Sequence, residues 1–389
     1  MSESSRTSEE KARKLDECRG ANKWKGLIPS PGKERKWDED FRSFLIKYGM
    51  ICHITYDVWI KGEGDEKDEQ GLSGTSRYGK DFDAFTKKGL EFSYQNKNGE
   101  EKTEYDFTNE YHVVCDLVCR PQSLYGVEAN WFGFVMLSND LKEMVIAFRG
   151  TQTTKEWIEN FTFSMEQLNG EPEEACLDKF CNRQNLMCHK GFQQLFTEEL
   201  NKDMPSPKDA IYQLAKTHKD TLDKVTIVGH SLGGGVAQLC GVHLARSRVL
   251  GDVPITVIAW AAPKIGNPYL AKWAEDQHPK LRILRISVTD DVVTKVPPNW
   301  LWVLLQGGFK HMGTELRLSL KHLIDQELVK DEDGNGPAHN LEQYLYNIDP
   351  TRDAALMNKY GDVLNRKYSI EHGIARYWHN QTWPRTIYH

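Results

Sequence analysis

From about residue 130 onward, short and almost uniformly apolar runs alternate with longer segments whose apolar residues recur every three or four positions. The apolar runs are 132–137, 144–149, 224–229, 255–260 and 281–287. Such runs, rich in β-branched residues, are the pattern of strands buried on both faces of a sheet. The helical period is carried by 207–218, with Ile211, Leu214 and Ala215 on one face, and by 232–248, with Val236, Leu239, Cys240 and Leu244 in step. Segments 339–346 and 351–366 also read as helices. Strands alternating with crossover helices predict an α/β architecture, a mostly parallel central sheet flanked by helices, preceded by an α-rich N-terminal portion.

Neither repeats nor low-complexity blocks divide the chain, so one domain is expected over 23–370, with a helical part at 23–125 and a core at 126–370. A charged, flexible or helical N-terminus (1–22) and a C-terminal tail (371–389) flank it. The stretch 62–71 has the composition of a solvated acidic loop.

Composition narrows the class of partner. The chain has 389 residues, 39% of them hydrophobic, enough for a sizeable core. Its formal net charge of −6 leaves no basic excess for a nucleic-acid partner. The densest apolar run, 300–305, is far shorter than the roughly 20 residues of a membrane-spanning helix. The first twenty residues mix five acids with five bases and lack the apolar core of a secretory signal. A soluble, cytoplasmic protein is therefore expected, with its eight cysteines reduced.

The chemistry concentrates in Gly229-His230-Ser231-Leu232-Gly233, where a buried strand pattern runs through G-x-S-x-G into a helical one. A nucleophilic serine on a strand-to-helix elbow needs glycine two positions before and after it, because a Cβ at either would strike the adjoining strand or helix. Gly229 and Gly233 meet that need. The following helix directs its N-terminal amides at the site, where an oxyanion forms during acyl transfer.

A serine needs a base and an orienting acid, and in the α/β-hydrolase order both lie downstream. Asp290 and Asp291 follow the run 281–287, at the sheet edge where α/β ligands bind; the residues alone do not choose between them. His311, His322, His339, His372 and His379 are the candidate bases, and His339 stands out because it follows the loop 333–337 and opens a helical pattern.

Several ordered stretches resemble the class 3 lipase superfamily, and within it the cytosolic, class II type of plant phospholipase A1. They are Trp24-Lys25-Gly26-Leu27, Gly74-Thr75-Ser76-Arg77-Tyr78, Ala147-Phe148-Arg149-Gly150-Thr151 with Trp157, His189-Lys190-Gly191-Phe192, the serine pentapeptide, Ala262-Pro263-Lys264-Ile265-Gly266, Asp291-Val292-Val293 with Pro297-Pro298, and 339–345. The resemblance implies an α/β-hydrolase fold with Ser231 as nucleophile, Asp291 as acid and His339 as base. It also implies an oxyanion hole from Thr151 and the backbone N–H of Leu232. The pattern of the family is departed from in two ways: Thr294 stands where proline is usual, and Val288 or Thr289 stands where many relatives carry Asn or Asp.

The activity implied is hydrolysis of glycerolipid esters through an acyl-enzyme, with release of the sn-1 chain of phospholipids. The alternatives are an esterase or acyltransferase acting on another ester, and a lipase-like interaction protein without turnover. No metal and no cofactor are expected. The partner is a lipid ester, with transient membrane-surface contact; oligomeric state is not legible. A lid is expected between Trp157 and His189, where Phe161, Phe163, Met165 and Leu168 either meet acyl chains or pack permanently into the core on a helix, and Trp300 and Trp302 are a second interfacial candidate against burial in a core strand.

Three apparent motifs are set aside. Residues 74–81 miss a phosphate-binding loop because Asp81 replaces the required hydroxyl. Cys176, Cys181, Cys188 and His189 lack zinc-knuckle spacing. Cys115 and Cys119 read as buried thiols.

Overall fold

Each of the five apolar runs is a strand of one sheet in the computed structural model, which describes residues 7–20, 24, 38–61, 74–95, 100–119, 130–150, 164–169, 186–199, 205–289, 291–297, 308–318 and 339–349. In chain order the elements begin with α1 (Ser8–Glu17), α2 (Glu39–Asp57), β1 (Trp59–Lys61), β2 (Gly74–Ser76), α3 (Phe82–Gly89), β3 (Glu91–Gln95), β4 (Glu101–Asp106) and β5 (Tyr111–Cys119). They continue with β6 (Asn130–Ser138), β7 (Glu143–Phe148), β8 (Met165–Gln167), β9 (Met187–His189), α4 (Lys190–Thr197), α5 (Pro207–His218), β10 (Lys224–His230) and α6 (Leu232–Ser247). The described elements close with β11 (Ile255–Trp260), α7 (Pro268–Asp276), β12 (Leu281–Val288), β13 (Thr314–Leu318) and α8 (Leu341–Ile348).

The main sheet runs β13-β12-β11-β10-β7-β6-β5. From β7 to β13 all pairs are parallel, whereas β6 pairs antiparallel with both β7 and β5. The register sets Val225 beside Ile255 and Met144, so every crossover returns to the same sheet edge. Alternate side chains enter alternate layers, as the strand period of two requires. On β11, Ile255, Val257 and Ala259 pack with the layer holding Phe192, Ile211 and Val236, and Ile258 and Trp260 with the layer holding Phe41, Phe44 and Tyr344. The fold is a three-layer α/β/α sandwich, the α/β-hydrolase arrangement.

The second layer is built largely from the N-terminal helices. Helix α2 is capped by Asp38, whose side chain accepts from the Phe41 N–H at 2.9 Å. It buries Phe41, Phe44, Leu45, Tyr48, Ile51 and Ile54 against the sheet, each large side chain contributing about 1.5–3 kcal/mol over exposure. The expectation of a helical 23–125 is corrected here, because this part also supplies β1 to β5, and β5 is the antiparallel edge of the main sheet. The polar, mostly exposed β4 shows why periodicity missed it.

Of the two readings of the N-terminus, the helical one holds over Ser8–Glu17. Thr7 caps α1 by accepting the Glu10 N–H at 3.2 Å, and the chain then buries Arg19 under the sheet. Arg19 pairs with Glu143 at 2.7 Å and also hydrogen-bonds Tyr48 and Thr226. Tyr48, Tyr111 and Thr226 donate to the same carboxylate at 2.8, 2.9 and 2.6 Å. Burial opposes the charge on Glu143, yet Arg19 and Lys47 hold its carboxyl down at about 2.

Other expectations are refined locally. Helix 207–218 begins with Pro207 behind the cap Ser206. The helix after the serine ends at Ser247 because Arg248 turns left-handed at φ 53°. Asp81 is the N-cap of α3, accepting from the Ala84 N–H at 2.9 Å. The segments 62–71, 300–305 and 351–366 lie outside the described residues, as do Thr151, Trp157, Phe161, Phe163, Cys176 and Cys181. The six described cysteines are thiols, Cys119 buried and Cys115 only partly so. No described helix is long and apolar enough to cross a membrane.

Candidate active site

Ser231 stands between β10 and α6 with φ 58° and ψ −124°, a backbone conformation that costs a non-glycine residue about 1–3 kcal/mol. The turn can be this sharp because its neighbours carry no side chain. A Cβ on Gly233 would lie 2.5 Å from the Phe148 carbonyl oxygen and 2.6 Å from that of Arg149, and one on Gly229 would overlap the Gly233 carbonyl. Strand β10 and the end of β7 thus approach too closely for any other residue.

His339 and Asp291 meet this serine. His339 Nε2 is 2.8 Å from Ser231 Oγ, and its Nδ1 is 2.9 Å from Asp291 Oδ2 and 3.0 Å from Oδ1. An ionised carboxylate only accepts, so Nδ1 carries the proton and Nε2 is left to accept the serine O–H. Serine, histidine and aspartate are 1%, 5% and 0% exposed, which keeps the relay away from competing water.

The acid is held by its own loop. The Asp291 carboxylate accepts the Val293 N–H at 2.9 Å and the Tyr344 O–H at 2.6 Å. Thr294, standing where the family usually has proline, donates its hydroxyl to the Asp291 carbonyl at 2.9 Å and so closes the turn. Val288 donates its N–H to Tyr344 at 3.0 Å, and Thr289 pairs with the Leu318 carbonyl. Burial pushes His311 down to about 3, and its Nε2 lies 2.8 Å from the Thr294 carbonyl; it braces the acid loop and does not reach the serine.

A second chain of hydrogen bonds runs behind the serine. His230 Nε2 lies 2.8 Å from the carbonyl of His339, and its Nδ1 lies 2.7 Å from the Tyr56 hydroxyl. The carbonyl can only accept, so in the neutral ring Nε2 donates and Nδ1 receives the Tyr56 O–H. Tyr56 in turn accepts the Gly150 N–H at 3.2 Å. Burial raises the Tyr56 phenol above its ordinary range, so it stays a donor. Beside it the Arg149 guanidinium sits 4.6 Å over the Trp59 ring, a cation–π contact.

Of the remaining expected residues, Leu232 is the first residue of α6, its N–H adjacent to Ser231, whereas Thr151, Asp290, His322, His372 and His379 lie outside the described residues. In the expected lid, Met165 belongs to β8, paired with β9, a strand where a helix was the packing alternative, and Leu168 is buried in the core, so for Leu168 the packing reading holds over the acyl contact. His189 caps α4 by accepting the Gly191 N–H at 3.1 Å, and burial lowers it to about 3. Cys188 donates to Gln193 at 3.3 Å. Among the described residues no group of three or more His, Cys, Asp or Glu is placed to hold a metal ion. The roles of Tyr56, His230 and Tyr344 were not read from sequence; the fixed spacing from His339 to Tyr344 was the available signal for one of them.

The arrangement can do one kind of chemistry readily. A serine oxygen activated by an oriented imidazole, at a helix N-terminus, is suited to acyl transfer. The family match and the curated relatives are in line with that reading. Residues 145–300 match the family described as Lipase (class 3). The chain is 26% identical over 387 residues to phospholipase A1-II 4 of Oryza sativa subsp. japonica, covering 92% of this chain and 89% of that protein. It is 25% identical over 380 residues to the chloroplastic phospholipase A(1) DAD1 of Arabidopsis thaliana, covering 87% and 76%. Among solved structures, the nonglycosylated LIP2 lipase of Yarrowia lipolytica aligns with a TM-score of 0.45 at 18% identity over 78% of this chain and 84% of that one. The chain thus carries the class 3 lipase pattern over residues 145–300 and is a carboxylic ester hydrolase that resembles the plant phospholipases A1.

Proposed function

We propose that the protein is a phospholipase A1, a serine acyl hydrolase that releases the sn-1 acyl chain of glycerophospholipids. The observation that carries the reading is the continuous Ser231–His339–Asp291 hydrogen-bonded relay on a strained elbow. Ser231 Oγ attacks the ester carbonyl as His339 Nε2 takes its proton, and Asp291 stabilises the imidazolium through Nδ1–H. The Leu232 N–H and Thr151 receive the oxyanion. The imidazolium then protonates the departing lysophospholipid alkoxide, leaving an acyl-serine. Water, deprotonated by the same imidazole, cleaves the acyl-serine to release fatty acid and restore the Ser231 hydroxyl.

The substrate class and the position of cleavage rest on the named relatives. Phosphatidylcholine carrying distinguishable acyl chains at sn-1 and sn-2 tests both. The sn-1 fatty acid should be released by the wild type and not by Ser231→Ala. Hydrolysis undiminished in folded Ser231→Ala removes the nucleophile, and release of the sn-2 chain removes the positional assignment.

A further inference from the structure

We propose that Tyr56, on the N-terminal helix α2, is a positioning residue that sets the geometry of the hydrolytic site through His230. The proposal rests on the Ser231–His339–Asp291 reading. Tyr56 lies outside the residues 145–300 that match the lipase family, yet its hydroxyl sits at the junction of the two parts the reaction must align. On one side it accepts the N–H of Gly150, at the end of β7 and directly before the oxyanion candidate Thr151. On the other it donates to His230, whose opposite nitrogen donates to the backbone carbonyl of His339.

The donors and acceptors run in one direction, Gly150 N–H to Tyr56, Tyr56 O–H to His230, His230 N–H to the His339 carbonyl, so a single phenol fixes the His230 tautomer and anchors the backbone of the base. The space enforces the same linkage. A Cβ on Gly150 would overlap the Tyr56 hydroxyl and lie 2.8 Å from the His230 carbonyl oxygen and 3.2 Å from Ser231 Cβ. Tyr56, the Gly150 strand end and the nucleophile therefore share one tightly filled corner. The His230 ring lies 4.9 Å from that of His339 and 5.8 Å from that of Tyr56, edge-on to the phenol. Gly150, His230 and His339 are all buried, so a partner lost to any of them is costly.

Removing the hydroxyl while keeping the ring deletes the donor that fixes His230 and the acceptor of the Gly150 N–H, loosening both the support of the base and the strand end. Misalignment of reacting groups by about 1 Å costs about 100-fold in rate. Tyr56→Phe is accordingly expected to lower kcat by about 10- to 100-fold, with KM within about twofold of wild type and an intact cooperative thermal transition. A side chain that only fills space would instead lower the thermal midpoint and leave kcat of the folded enzyme alone.

The test is a double-mutant cycle on the full chain with a soluble p-nitrophenyl ester, using wild type, Tyr56→Phe, His230→Gln and the double variant, with Ser231→Ala alongside. If Tyr56 acts through His230, adding Tyr56→Phe to His230→Gln costs much less in kcat than it does alone. Unchanged kcat in Tyr56→Phe, or full additivity in the double variant, overturns the proposal. Should Tyr56→Phe fail to fold, His230→Gln decides: a kcat loss at constant KM supports the relay, and wild-type kcat overturns it. Activity surviving in Ser231→Ala would bring down the hydrolase reading itself, whereas an inactive Ser231→Ala beside a fully active Tyr56→Phe brings down this inference alone.

Discussion

Tyr344 donates its hydroxyl to the buried carboxylate of Asp291 at 2.6 Å, although 53 residues separate the two. The same oxygen accepts the Val288 N–H at the end of β12. Helix α8, which follows His339, thereby holds the acid while its preceding residues present the base. A hydrogen bond to a charged acceptor contributes about 1.5–3 kcal/mol. Tyr344→Phe should reduce kcat about tenfold without a matching rise in KM, as steady-state kinetics on a soluble ester would register; an unchanged kcat would mean that the Val293 N–H alone is sufficient to hold the carboxylate.

The backbone of Ser231 is strained, and relief of the strain should be measurable. Glycine adopts φ 58° and ψ −124° without a Cβ penalty. Ser231→Gly is expected to abolish ester hydrolysis and yet raise the unfolding free energy by about 1 kcal/mol. Urea denaturation checks the sign, and a glycine variant less stable than wild type would show that the serine side chain contributes more than the backbone strain removes.

Gly233 makes the opposite prediction. Its Cβ would press on two carbonyl oxygens at the end of β7, neither of which can move without tearing the sheet edge. Gly233→Ala should destabilise by about 3 kcal/mol and abolish hydrolysis. A variant that melts like wild type would show that the elbow and β7 can separate.

His53 links helices α2 and α8 as a buried cation. Its Nδ1 is 3.0 Å from Asp57 and its Nε2 2.9 Å from Glu342, and Tyr105 donates to the same Asp57 oxygen at 3.1 Å. Burial disfavours the imidazolium, but the two carboxylates outweigh it and push His53 up to about 10 from an ordinary 6.5. Because the folded value is raised, the associated stability is complete below about pH 6.5 and is lost as pH climbs through about 10. The gap in urea-unfolding free energy between wild type and His53→Gln should therefore be largest near pH 6 and shrink towards pH 10. A gap that does not change over that range would mean that the folded chain holds a neutral imidazole.

Arg19 ties the N-terminus to Glu143 at the sheet edge opposite the elbow. Removing one partner of a buried ion pair leaves the other charge uncompensated, at a cost of about 3–5 kcal/mol. Arg19→Met should lower the urea midpoint by a corresponding amount while kcat at low temperature is retained; a midpoint within error of wild type would show that Tyr48, Tyr111 and Thr226 suffice to solvate the carboxylate.

The parallel strands were legible because burial on both faces leaves an uninterrupted apolar run, and helix 207–218 because Ser206, Pro207 and the Ile211 face agree. Strands β1 to β4 were not, being short and set among polar residues, and β5 hid because its burial only partly alternates. At the site, Ser231 is legible from its pentapeptide, since the elbow is a local geometric demand. Asp291 was separated from Asp290 only by resemblance, because the choice depends on how a loop turns. Tyr56 left no local signature at all: its partner His230 is 174 residues away.

That separation has a consequence for how the protein is made. Tyr56, His230 and His339 leave the ribosome in that order, with 174 and then 109 residues between successive members. Contacts so distant in sequence form late, after the entropy of closing the intervening loops has been overcome. A nascent chain that has already exposed its serine elbow therefore has no base to activate it. Until residue 339 has emerged and α8 has docked on α2, synthesis yields an inert serine, so the order of the chain itself delays ester cleavage until the last layer of the sandwich is in place.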